Sequence, residues 1–92
     1  VIALVASDVP KLPRGVRLQA DAARGRPVLL APERAFELDE PAAHVLALVD
    51  GKRTIGDIVA ALAVTFDAAP SEIEPDVIAM LEDLVAKRVV ER

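Results

Sequence analysis

The sequence predicts an α+β domain: a three-stranded antiparallel sheet first, then a three-helix bundle. Two observations carry this. Between residues 15 and 38, short apolar stretches, some with a period of two, are separated by brief turns containing Gly or Pro. From Glu40 onward the apolar spacing becomes three and four, the period of helices packed along one stripe. Ninety-two residues suffice for one core but not for two.

Taken in order, Val1 to Pro13 carries Pro10 and Pro13 around Lys11-Leu12, a combination that resists both helix and inner strand. It is read as an extended arm, residues 1–13, preceding a single domain at 14–92. The first strand, about 15–20, alternates Val16, Leu18 and Ala20 with Arg17 and Gln19. Asp21 to Pro27 forms a loop, with Gly25 as its positive-φ residue. Val28-Leu29-Leu30-Ala31 is a second strand, apolar enough to predict cover on both faces. Pro32-Glu33 turns the chain into the third strand, about 34–38, where Phe36 and Leu38 share a face and Glu37 takes the other. Loops this short favour an antiparallel meander.

Asp39 is a helix cap and Pro41 suits a first turn, so a first helix is expected over about 40–49, burying Ala42, Val45, Leu46 and Val49 and stopping at a left-handed Gly51. Thr54 and Asp57 resemble a capping box opening a second helix, about 55–66, with Ile55, Ile58, Val59, Leu62 and Phe66 in one stripe. Ser71 and Glu74 form another box before a third helix, about 72–87, in which Ile73, Val77, Met80, Leu81, Leu84 and Val85 are apolar. Pro75 predicts a kink or a start near that residue. Val89-Val90 folds back as a strand or pads the core.

Composition narrows the function. Eleven basic against fifteen acidic residues give a net charge of −4, which disfavours nucleic acid. With no Cys there is neither a disulfide nor a thiolate metal site, in keeping with the cytoplasm. The apolar start Val1 to Ala6 is too short to span a membrane, and the missing initiator Met suggests that the chain begins inside its translated product. His44 is the lone histidine, hydroxyls are few, and the four glycines match no phosphate loop, so neither a catalytic set nor a cofactor clamp is expected. Acidic residues crowd the third helix and arginines the strand half, a sign difference able to orient a partner bearing both charges.

The segments Leu12-Pro13-Arg14-Gly15-Val16-Arg17-Leu18, Val28-Leu29-Leu30-Ala31-Pro32-Glu33, Val49-Asp50-Gly51 with Thr54, and Asp76-Val77 occur in the order seen in the PqqD family of pyrroloquinoline quinone biosynthesis, which the chain resembles from about Val9 to Val90. That resemblance implies a winged-helix-like, non-catalytic peptide chaperone without a cofactor. It binds a ribosomally made precursor peptide and presents it to a radical S-adenosylmethionine enzyme, which crosslinks a Glu and a Tyr. It further implies that the peptide pairs with Ala35, Phe36, Glu37 and Leu38, while Asp76, Val77, Met80, Leu81 and Leu84 wall the cleft. Arg88-Val89 departs from the family, where many members carry a glycine.

Physical reading alone leaves three roles open for Met80 and Leu84: peptide cleft, pure core or dimer contact. If the Leu38 amide faces outward, Leu38→Pro removes a docking donor. Two other function classes compete. A DNA-binding winged helix needs Lys or Arg on its recognition helix, and Thr54 to Phe66 has neither. A structural dimerisation module would self-associate through the exposed edge or an exchanged arm without peptide affinity.

Overall fold

The computed structural model describes residues 3–21 and 25–92. Val1 and Ile2 of the expected arm and residues 22–24 of the expected loop lie outside them. The elements run β1 (Arg17–Asp21), β2 (Arg26–Ala31), β3 (Arg34–Glu37), α1 (Glu40–Ala47), α2 (Ile55–Thr65) and α3 (Pro70–Ala86). The sheet has order β1-β2-β3, with both pairs antiparallel.

Register places Leu18, Leu29 and Phe36 side by side. Leu29 is fully buried there, and Leu18 and Phe36 pack against the same core. Val28 and Leu30 point to the other face and are only half-buried, so cover of β2 on both faces is not found. β2 also starts earlier than expected, at Arg26, because Pro27 is accommodated inside the strand opposite Ala20. Pro32 and Glu33 close the β2–β3 hairpin, with φ of +63° at Glu33, the second central position, as a type II turn requires.

Asp39 caps α1, its Oδ1 accepting from the Ala42 amide at 2.9 Å. Gly51 is left-handed at φ +75°, but α1 has already ended at Leu48, so Gly51 turns the connection rather than capping the helix. The Thr54–Asp57 box is complete in both directions, at 3.0 and 3.1 Å. Phe66 departs from its expected place in the α2 stripe. It is the C-cap, 44 % exposed, because Asp67 turns left-handed immediately after it.

At α3 one expectation is corrected, and one of the two alternatives for Pro75 is excluded. The helix starts at Pro70 with Ala69 as N-cap and no side-chain cap, so Ser71 and Glu74 do not form the box; a proline at N1 needs no acceptor for the amide it lacks. Pro75 lies inside the helix and does not start it. The carbonyl it deprives of a donor belongs to the exposed Ser71, where water can replace it. At the other end Val89 N–H donates to Leu84 O at 3.1 Å and Arg88 N–H to Val85 O at 2.9 Å, with Arg88 at φ +63°. This is a Schellman motif with arginine in glycine's position. It drives Val89 and Val90 into the core.

The arm is hydrogen-bonded into the same unit. Ala6 O and Asp8 O accept from the Gly56 and Ile55 amides at the start of α2, both at 2.9 Å, and Lys11 exchanges two 2.8 Å bonds with Glu91. Leu4 and Pro10 are buried. No helix among the described residues is long and apolar enough to cross a membrane.

Candidate functional site: the outer edge of β3 and the face of α3

The direction of the β3 main chain follows from one bond. Leu38 N–H donates to Pro27 O at 3.0 Å, so residues 34, 36 and 38 bond towards β2, and Ala35 and Glu37 turn their main-chain groups the other way. Ala35 is exposed and borders no further strand among the described residues. Phe36 and Leu38 point their side chains inward and are half-buried against the core. Arg34 lies over the Phe36 ring at 5.5 Å, and Lys87, from the end of α3, approaches the same ring at 5.9 Å. The C-cap of α3 thus extends its side chain to the middle of β3.

Farther along, a cleft of about 490 Å3 opens between α1 with its cap Asp39, the end of α2 and the first half of α3. Its walls include Pro41, Ala42, Val45, Leu62, Phe66, Ile73, Val77 and Met80, and Asp39, Glu72 and Asp76 also line it. A second cleft, about 930 Å3, lies between the sheet and α1 and is lined by Leu38 and His44; Asp39 borders both clefts. The His44 ring meets Phe66 edge-on at 5.0 Å, so this aromatic pair stands between the two clefts.

Of the α3 residues expected in the wall, Asp76, Val77 and Met80 are brought together with Asp39. Val77 is otherwise buried. Leu81, at 0 % exposure, and Leu84, at 6 %, belong to the core; they hold the helix against α2 and present no wall. Of the three roles open for Leu84, the structure gives it the core. Met80 is half-buried and lines the cleft. Phe66, Ile73 and Glu72 also line it and were not among the expected residues.

The family model for Coenzyme PQQ synthesis protein D (PqqD) matches residues 27–90. The chain belongs to the PqqD family. It is 45 % identical over 85 residues to a PqqA binding protein of Rhizobium meliloti, covering 92 % of this chain and 87 % of that one. It is 56 % identical over 86 residues to the bifunctional coenzyme PQQ synthesis protein C/D of Methylorubrum extorquens, covering 94 % of this chain but 23 % of that longer relative. The solution structure of the PqqD truncation of Methylobacterium extorquens PqqCD, described as a stand-alone RiPP recognition element, superposes with a TM-score of 0.86 at 54 % identity, covering 98 % of this chain and 96 % of that one. PqqD from Xanthomonas campestris gives 0.62 at 44 % identity, with 98 % and 100 % covered. The sheet edge and the α3 cleft thus lie within a PqqD domain.

Proposed function

We propose that this chain is a non-catalytic, cytoplasmic peptide carrier that binds the PqqA precursor peptide and presents it to a radical S-adenosylmethionine enzyme. The observation that carries the reading is the outward turn of the β3 main chain at Ala35, beside α3, in a family whose members include proteins named for binding PqqA. An extended peptide adds a strand at that border, and its side chains meet Phe36, Leu38, Asp76, Val77 and Met80. Leu81 and Leu84 contribute from beneath, by fixing the position of the helix.

About four main-chain hydrogen bonds at about 1 kcal/mol each, with two or three apolar anchors at about 2 kcal/mol each, oppose an ordering cost of roughly 2–5 kcal/mol. The balance, about 3–8 kcal/mol, corresponds to affinity no tighter than about micromolar. Such binding holds cargo near an enzyme and still releases it. Self-association through β3 would use the same main-chain groups, so a homodimer closed at that border excludes the peptide.

Titration of PqqA peptide into isotope-labelled protein tests this. Saturable amide shifts are expected along Ala35 to Leu38 and at Asp76, Val77 and Met80. Absence of saturable binding, with or without the enzyme, would overturn the proposal.

A further inference from the structure

Charge changes sign between the Phe36 position of β3 and the cleft at the start of α3. At one end Arg34 and Lys87 both approach Phe36. Lys87 also pairs with Asp83 at 2.7 Å, whereas Arg34 has no ion pair among the described residues. At the other end the apolar cleft is lined by Asp39, Glu72 and Asp76 and by no Lys or Arg. Asp39 is occupied in capping α1. Glu72 and Asp76 stand four residues apart on α3, a like-charge spacing that costs a helix stability, and neither has an ion pair among the described residues. Glu72 suits the first turn of α3, where the helix N-terminus favours a carboxylate, but Asp76 lies beyond that turn; a cation from a bound chain complements the pair at the mouth of the cleft.

We propose that these opposed charges, one set at the β3 edge and the other at the cleft, fix the direction of the bound peptide. The peptide seats an apolar side chain flanked by Lys or Arg at the Glu72 and Asp76 end, and a carboxylate at the Arg34 and Lys87 end. The inference rests on the peptide-carrier reading and adds to it the chemistry of the cargo. Backbone pairing along β3 carries no side-chain information, and a short edge accepts a strand in either sense. The opposed charges supply the missing selection, because reversing the peptide places like charges at both ends.

The test uses two synthetic peptides sharing one apolar core, one with Lys beside the apolar anchor and Glu at the far end, the other with these charges exchanged. A peptide has one charge order along its chain, so a nitroxide at its Lys end reports direction. In the matched complex that label should broaden the amides of Asp76 and Met80 and leave Lys87 sharp. Glu72→Lys with Asp76→Lys, both at exposed positions, should weaken binding of the Lys-flanked peptide about tenfold at low ionic strength, and about 1 M salt should shrink the difference. An unchanged amide spectrum elsewhere verifies the fold of the variant. If PqqA binds but label position and charge reversal make no difference, charge does not set direction and the carrier reading survives. If none of the peptides, PqqA included, binds the unaltered protein, both fall.

Discussion

The amide of Leu38 is committed to the carbonyl of Pro27, 3.0 Å away, and the amide of Ala35 is therefore turned out of the sheet. This reverses the assignment of the docking donor that follows if Leu38 faces outward.

Ala35→Pro should consequently leave the sheet intact, since an edge strand tolerates proline where its amide faces away from the ladder. It should reduce peptide affinity about tenfold through one lost bond and one stranded acceptor. Leu38→Pro removes an internal donor and should destabilise by at least about 2 kcal/mol. Denaturant midpoints paired with peptide titrations separate the two; unfolding by Ala35→Pro would refute the assignment.

Arg88 holds a left-handed conformation at φ +63°, closing the Schellman motif that buries Val89 and Val90. An L side chain pays about 1–2 kcal/mol there, partly offset in glycine by its larger unfolded-state entropy. Arg88→Gly should raise stability by about 1 kcal/mol, visible as a higher melting temperature. An equal or lower value would mean that the arginine has compensating contacts.

The local parts of the fold were legible because their causes are local. Phe36 and Leu38 announce a strand face, and Asp39, Pro41 and the Thr54–Asp57 pair announce helix starts. The α3 start was missed because Pro70 and Ser71 offer competing signals and proline at N1 prevailed. The built-in arm was missed because its bonds go to α2 and Glu91, far away in sequence, and leave no periodic trace. The cleft wall was read only in part. Val77, Leu81 and Leu84 form the regular stripe and serve the core, whereas the Glu72–Asp76–Met80 face carries two carboxylates and does not read as an apolar surface.

Acid should loosen the connection between α1 and α2 at one identifiable group. The Arg53 and Lys52 amides donate to Asp50 Oδ1, both at 2.9 Å, and with the nearby Arg53 guanidinium they hold its carboxyl below the 3.8 ordinary for aspartate. A depressed folded-state value means that Asp50 contributes stability above 3.8, and that this contribution is lost as pH falls through the lower, folded value. Asp50→Ala should therefore be less stable than the parent at neutral pH, and the gap should close only below pH 3.8. Stability curves for the two proteins over the acid range check this; a gap that persists at the lowest pH would trace the effect to the loop geometry instead of the charge.

The two aromatic residues should divide between fold and site. Phe36 is half-buried beside Leu29, so Phe36→Ala should cost about 2–3 kcal/mol, less than the about 3–5 of a fully buried phenylalanine. Phe66 caps α2, is 44 % exposed and lines the cleft with Met80, so Phe66→Ala should stay within about 1 kcal/mol of the parent while weakening peptide binding several-fold. It also removes the ring that His44 meets at 5.0 Å, so the His44 ring protons should shift in the free protein. That shift, with unchanged stability and weaker binding, identifies Phe66 as a wall of the cleft. A loss of stability as large as that of Phe36→Ala would instead make it part of the core.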